Sequence, residues 1–149
     1  MKHNIYNNKF KELTFAVKDY FKSSDISIHK ARNEIKIVKF KNKSLTIKAF
    51  KIPNIINKIV YSFIRDSKAK KSYDNSVKII DFVPAPISYI EFFKFGLLYN
   101  SYFISENFNY DFTIREPLLL EDFSNKEEVF KQFAKFTFEL HENNILQTA

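Results

Sequence analysis

Residues 45–51 constrain the fold of this chain more than any other stretch. They read Leu-Thr-Ile-Lys-Ala-Phe-Lys, and Pro53 follows closely. This alternation of β-branched and aromatic residues predicts a β-strand that stops before the proline. The aliphatic side chains then share one face of a sheet, and Lys48 lies mid-strand on the opposite face. A lysine in that position is either a solvated charge or a cation directed into a cleft.

Four other segments predict strands by the same criteria. They are 26–29, 35–40, 87–93 and 97–104. Lys41-Asn42-Lys43 predicts a hairpin turn into the 45–51 strand, and Gly96, the only glycine, predicts a turn that uses positive φ. We therefore expect a sheet of about five antiparallel strands.

Helical periodicity is found in four further segments. They are 9–22, 53–65, 67–81 and 124–143. Pro53 suits a first helical turn, and Ser124 with Glu127 predicts a capping box for the last helix. The predicted buried stripe of that helix is Val129, Phe133, Phe136 and Leu140. Residues 107–120 show neither helical periodicity nor strand alternation and are expected to be irregular.

The 53–65 helix carries a continuous apolar side with two interpretations. Its members are Ile55, Ile56, Ile59, Val60, Phe63 and Ile64. A helix of this kind either docks on its own domain or lies on a membrane surface. Lys58 and Arg65 at its edges suit an anionic cytoplasmic leaflet, so both alternatives stay open at this stage.

Composition excludes several kinds of site. The chain has no cysteine, which excludes disulfides and thiolate metal sites, and its three histidines, His3, His29 and His141, are far apart. Aromatic residues make up 17% of the chain, so large side chains are expected to dominate the core. Neither a signal peptide nor a bilayer-spanning stretch is predicted, and the expected location is cytoplasmic.

Charge is distributed unevenly along the chain. Residues 1–72 hold 18 basic and 5 acidic side chains, a net +13, whereas residues 73–149 hold 6 and 12, a net −6. A basic half favours phosphate-bearing partners such as nucleotide, nucleic acid or anionic lipid, although a codon bias towards lysine gives the same richness. Lysines and aromatics interleave over 36–50, but no nucleic-acid motif accompanies them, so no specific nucleic acid is expected.

Four short motifs follow one another in a characteristic order. They are Ala31-Arg32-Asn33, the run Ile-Lys-Ala-Phe-Lys-Ile-Pro at 47–53, the run Ser-Lys-Ala-Lys-Lys-Ser-Tyr at 67–73, and the run Pro-Ala-Pro-Ile-Ser-Tyr-Ile-Glu at 84–91. Together they resemble the Kdo/WaaP lipopolysaccharide kinase family, which has a protein-kinase-like fold. Residues 101–106 resemble the last small-lobe strand running into the hinge, and residues 138–146 resemble the helix and turn before the catalytic loop.

The resemblance, which covers residues 25–146, implies an α+β fold in two parts. Residues 1–106 would form a protein-kinase-like small lobe, and residues 107–149 would form the hinge and the incomplete start of the large lobe, including its first helix. The implied activity is phosphoryl transfer from ATP, with Mg²⁺, to a sugar hydroxyl of the lipopolysaccharide inner core.

The resemblance also implies an ATP-binding set. It consists of Lys48, Arg32, Asn33, Asp74, Glu106 and Asn107. Lys48 would hold the phosphates, and Asp74 is the nearest acid to orient it, because Ser72 stands where the family's glutamate falls. Arg32 and Asn33 stand in place of the family's glycine-rich loop. Glu106 and Asn107 would offer backbone groups to the adenine ring.

The sequence departs from the family's pattern at residues 147–149. The family continues into His-x-Asp, which supplies the catalytic base, and Ser-Pro-Gly-Asn, which holds Mg²⁺, whereas residues 147–149 here read Gln-Thr-Ala. We therefore expect a truncated kinase that is inactive alone, the alternative being a non-catalytic nucleotide-binding or regulatory module. The implied partners are ATP, a lipid-linked Kdo acceptor and, peripherally, the anionic inner membrane.

Overall fold

The computed structural model describes residues 1–30, 33–51, 54–143 and 145. Its strands are β1 (Lys2–Ile5), β2 (Ser27–Lys30), β3 (Glu34–Phe40), β4 (Lys43–Phe50), β5 (Pro86–Lys94) and β6 (Leu97–Glu106). Its α-helices are α1 (Lys11–Phe15), α2 (Val17–Ser23), α3 (Ile55–Phe63), α4 (Lys68–Lys78), α5 (Arg115–Leu119) and α6 (Lys126–Glu142). The chain divides into two compact units, residues 1–108 and 109–149. Their assignment to the lobes of a kinase stays a prediction.

The strands of the described residues form one antiparallel sheet in the order β1-β5-β6-β4-β3-β2. This confirms the predicted α+β class, and each predicted strand segment overlaps an observed strand. The predicted number of strands was wrong by one, because β1 pairs with β5 from Lys2 opposite Glu91 to Ile5 opposite Ser88. The β1 sequence, Lys-His-Asn-Ile, has one apolar residue, so pairing with the edge of β5 rather than a local pattern makes it a strand.

One face of the sheet is covered by α1 and α2. Leu13 on α1 and Val17 on α2 are fully buried in a core that includes Leu45 and Ile47 of β4. The single helix predicted for this region is interrupted at Ala16, whose φ of −93° and ψ of 15° depart from helical values. The region therefore forms two short helices, α1 and α2, instead of one.

The opposite face of the sheet is covered in part by α4. This helix begins after its N-cap residue, Ser67. Its Ala69 and Tyr73 are buried in a second apolar cluster with Phe50 of β4 and Tyr89 of β5. The spacing of the two helix residues puts them on one side, as the sequence pattern predicts.

A two-residue turn, Phe95-Gly96, joins β5 and β6. Its φ values are 52° and 75°, so both residues are left-handed, which is typical of a type I′ hairpin turn. The predicted positive φ of Gly96 is confirmed. Phe95 adopts the same conformation although it has a Cβ atom, and its side chain is almost fully exposed.

α3 presents its apolar side outward. The helix begins after Asn54, whose side-chain oxygen accepts a hydrogen bond from the backbone N–H of Asn57 at 2.9 Å. Pro53, which was predicted to open this helix, lies outside the described residues. Five of the six apolar residues predicted on one side are exposed: Ile55, Ile56, Ile59, Phe63 and Ile64. That side therefore does not dock on the 1–108 unit.

The 109–149 unit contains α5 and α6. The prediction of an irregular 107–120 segment was wrong, because α5 lies within it. The backbone N–H of Thr113 donates to the Glu116 carboxylate at 2.9 Å, and its hydroxyl donates to the same oxygen. This Thr-x-x-Glu pattern is a helix-start signal that the sequence analysis did not use.

The capping box predicted from Ser124 and Glu127 for the last helix was wrong. Asn125, with a φ of 57°, precedes α6, and no side-chain hydrogen bond caps the helix. Of the predicted buried stripe, Leu140 is buried, but Phe133 and Phe136 are exposed. None of the described helices is both long and apolar enough to cross a bilayer.

Candidate functional site

Lys48 lies in the middle of β4, on the sheet face that also carries α4. Its register partners are Ile35 on β3 and Phe103 on β6, and directly opposed side chains share a face. Lys48 is half-buried, and its Nζ lies 5.3 Å from the centre of the Phe50 ring. The site is therefore one ammonium group set among apolar side chains.

Within the described residues, no carboxylate lies at ion-pair distance from Lys48. The ion pairs of the described chain involve Lys43, Lys70 and Lys135 instead. A half-buried ammonium without a counter-ion has lost part of its hydration and has gained no charged partner. Such a group attracts an anion from solution more strongly than a fully solvated lysine does.

Asp74, the acid expected to orient Lys48, pairs with a different lysine. Its carboxylate accepts a hydrogen bond from Lys70 at 2.7 Å, and Lys70 also donates to Asp66 at 3.0 Å. The hydrogen bonds that Lys70 donates to Asp74 and, to a lesser extent, to Asp66 hold the pKa of Lys70 well above its ordinary value. The sequence analysis missed Lys70, although the spacing of four between each acid and the lysine is a readable helix signal.

Glu106 lies at the end of β6 and is engaged on the other face of the sheet. It is the register partner of Leu45, and its carboxylate forms an ion pair with Lys43. Its backbone N–H donates to the carbonyl of Ala85 at 2.9 Å. The N–H of Glu106 is therefore not a free donor for an adenine ring, because its partner lies within the protein.

Asn107 is linked by a side-chain hydrogen bond to the face of β4 that carries Lys48. The hydroxyl of Thr46 donates to its side-chain oxygen at 2.9 Å, and Thr46 is two residues before Lys48 on the same face of β4. The backbone N–H of Asn107 donates to the carbonyl of Ser44 at 3.0 Å. Thr46, which the sequence analysis did not select, therefore connects the hinge position to the Lys48 face.

Asn33 lies directly before β3, and its side chain contacts the residue after β4. Its side-chain oxygen accepts a hydrogen bond from the backbone N–H of Lys51 at 3.3 Å, which ties the start of β3 to the end of β4. Arg32, the other predicted contact in this turn, lies outside the described residues. Of the five predicted site residues that the structure describes, Asn107 is thus the one whose side chain is hydrogen-bonded to the strand face that carries Lys48.

A separate cleft of about 280 Å³ lies where α3, α4 and β5 meet. Its walls include Lys2, Arg65, Lys70 and the buried Glu91, and Lys48 is not among them. Burial raises the pKa of Tyr89, another wall residue, and the charge of Glu91 raises it further. Cations and carboxylates both line the cleft, so its charge selects neither anions nor cations.

The lysine–aromatic pattern over 36–50 does not form a stacking surface. Phe40 is buried in the main core, and Phe50 is buried against α4. Nucleic-acid bases stack on exposed rings, so these two phenylalanines are not accessible to a base.

The described residues contain no group of three or more histidine, aspartate or glutamate side chains arranged to hold a metal ion. Comparison of the chain with protein-family models, curated proteins and solved structures found no match.

Proposed function

We propose that residues 1–108 form a nucleotide-binding lobe like that of the Kdo/WaaP sugar kinases, with Lys48 as its phosphate contact. The observation that carries the proposal is the half-buried Lys48, which has apolar neighbours and no carboxylate partner among the described residues. A nucleotide phosphate supplies the negative charge that this surface lacks.

The order of the elements supports the same assignment. Protein kinases hold the nucleotide phosphates with a lysine on the third strand, after a hairpin whose loop covers the phosphates and before a helix that packs on the sheet. In this chain the β2–β3 hairpin precedes β4, Lys48 lies on β4, and α4 follows and packs on the same face.

The proposal is for nucleotide binding rather than for complete catalysis. The phosphoryl group in such transfers carries several negative charges, and a fixed ammonium neutralises part of them. The family's His-x-Asp and Ser-Pro-Gly-Asn motifs do not occur in the 149 residues. An acceptor such as a lipid-linked Kdo sugar, and a cytoplasmic site of action where ATP is available, belong to the same proposal.

The test is a calorimetric titration of the full chain with ATP. We expect measurable binding that weakens at least about tenfold in Lys48→Ala, since a hydrogen bond between charged groups is lost. Lys39→Ala is the matched control, because Lys39 is an exposed cation on the neighbouring strand β3. That variant removes the same charge and should change the affinity less than about twofold.

Two outcomes contradict the proposal. One is the absence of binding at millimolar ATP, and the other is an equal loss of affinity in both variants, which indicates non-specific attraction to a basic surface. ATP binding without phosphoryl transfer to a Kdo-containing acceptor supports the non-catalytic alternative.

A further inference from the structure

The outward side of α3 is an extended apolar feature on the surface of the 1–108 unit. Ile55, Ile59 and Phe63 recur at every fourth position, and Ile56 and Ile64 extend the same surface. These five side chains are between 47% and 75% exposed. Hereafter we call them the α3 stripe.

α3 is attached to the sheet by its other side. The Ser62 hydroxyl accepts a hydrogen bond from the backbone N–H of Leu98 at 2.8 Å and donates to the Lys58 carbonyl at 2.5 Å. Lys58 Nζ lies 5.7 Å from the centre of the Tyr99 ring on β6. These contacts hold the helix on β6 with its apolar side turned away, so the exposure is a property of the packed helix.

The segment of sequence that contains the stripe is basic. Residues 51–71 contain six lysines or arginines and one acid. Lys58 lies within the helix, and Arg65 follows it and is exposed. The partner that complements both properties has an apolar layer beneath a negatively charged surface.

We propose that α3 lies on an anionic lipid bilayer, with the α3 stripe inserted at the headgroup boundary and the neighbouring cations among the lipid phosphates. Amphipathic helices bind membranes in this way when apolar area and basic residues occur together. Phe95, at the tip of the hairpin whose second strand α3 contacts, is 93% exposed and offers a second insertion point.

Charge favours a bilayer over a second copy of this chain as the occupant. A symmetric dimer through the α3 stripe brings the cations of residues 51–71 of both copies together. Like charges at such an interface oppose association. The inference does not depend on nucleotide binding, because Lys48 is not part of this surface.

The first experiment measures co-sedimentation of the full chain with phosphatidylcholine vesicles that contain about 30% phosphatidylglycerol. We expect binding to these vesicles, little binding to pure phosphatidylcholine, and loss of binding in about 0.5 M salt. Phe63→Ser should weaken binding at least about tenfold. Phe138→Ser is the matched control, since Phe138 is a similarly exposed phenylalanine on α6, and it should bind as the unmodified chain does.

Charge is tested with a second pair of variants. The double variant Lys58→Gln/Arg65→Gln should lose about tenfold or more in binding to the anionic vesicles. Lys131→Gln/Lys135→Gln on α6 removes the same charge at exposed positions elsewhere and should have a much smaller effect.

Insertion itself is read by fluorescence, because the chain has no tryptophan. Phe63→Trp should show a blue-shifted emission on adding anionic vesicles, and Phe138→Trp should not. Equal binding of Phe63→Ser and the unmodified chain overturns the proposal, as does an unshifted Phe63→Trp spectrum. A dimer that depends on Phe63 and does not bind vesicles also overturns it and assigns the stripe to a second copy.

Discussion

Asp74 and Lys70 lie one turn apart on α4 and are joined by a hydrogen bond of 2.7 Å. Lys70 also contacts Asp66, so it lies between two carboxylates. This arrangement uses the acid that the kinase resemblance would assign to Lys48. It leaves Lys48 without a charged partner among the described residues, which is the condition for binding a phosphate from solution.

Double-mutant cycles should show whether Asp74 interacts with Lys70 or with Lys48. We expect a coupling free energy of about 0.3–0.5 kcal/mol between Lys70→Gln and Asp74→Asn, as for exposed pairs at this helical spacing. The cycle of Lys48→Gln with Asp74→Asn should give a coupling close to zero, because no contact joins these residues. Urea unfolding provides the free energies. A Lys48–Asp74 coupling larger than the Lys70–Asp74 coupling contradicts the observed pairing.

A buried hydroxyl pair connects α1 to β5, and breaking it should be costly. Thr14 Oγ1 donates to the Phe10 carbonyl at 2.9 Å and lies 2.8 Å from Ser88 Oγ, so its single proton is used and Ser88 donates to it. Both residues are fully buried. Thr14→Val should lower the free energy of unfolding by about 1–3 kcal/mol, because the Ser88 hydroxyl loses its acceptor.

Ser88→Ala is the informative comparison for the hydroxyl pair. It should cost less than Thr14→Val, because Thr14 keeps its bond to Phe10. The double variant should cost less than the sum of the two single variants. Strict additivity in urea unfolding would show that the two hydroxyls do not interact.

Tyr73 should make stability fall in alkaline solution. Burial raises the pKa of its hydroxyl, and the charge of Asp74 raises it further. Above pH about 10 the unfolded chain releases this proton while the folded chain retains it, so the free energy of unfolding declines up to the raised pKa. Below that range the group has no effect on the pH dependence.

Urea unfolding between pH about 8 and 11 tests the role of Tyr73. Tyr73→Phe should make the alkaline decline shallower, because one titrating group is removed. Tyr110→Phe, at an exposed position, is the control and should keep the original slope. Identical slopes for Tyr73→Phe and the control would exclude a contribution from Tyr73.

The Phe95-Gly96 turn should respond in opposite directions to two substitutions. Gly96→Ala should destabilise the chain by about 1 kcal/mol, because φ is +75° there, although no atom would contact the added Cβ within 4 Å. Phe95→Asn should stabilise it by about 0.5 kcal/mol, since asparagine adopts positive φ more readily. Thermal unfolding measures both, and a stabilising Gly96→Ala would contradict a left-handed turn in solution.

Much of the sheet could be predicted from the sequence, because strand alternation is a local property. The pattern at 45–51 correctly placed Leu45 and Ile47 in the core and Lys48 on the opposite face. β1 could not be predicted, because the edge of β5 rather than its own side chains makes it a strand. The start of α5 was predictable from Thr113 and Glu116 and was missed.

Only part of the candidate site could be predicted. The sheet face on which Lys48 lies follows from its position in an alternating strand. That Asp74 pairs with Lys70 and not with Lys48 depends on the geometry of α4. The resemblance implied that Glu106 and Asn107 offer backbone groups to the adenine ring. Their backbone N–H groups are engaged by Ala85 and Ser44, which are distant in the chain.

The sequence by itself determined five of the six described strands and the apolar side of the longer helices, because these properties depend on neighbouring residues in the chain. The tertiary structure alone decided that the apolar side of α3 faces outward, while Ser62 holds the helix to Leu98. The physical reason is that periodicity defines an apolar side but not its direction. Whether such a side is buried depends on the area that other elements leave to cover it.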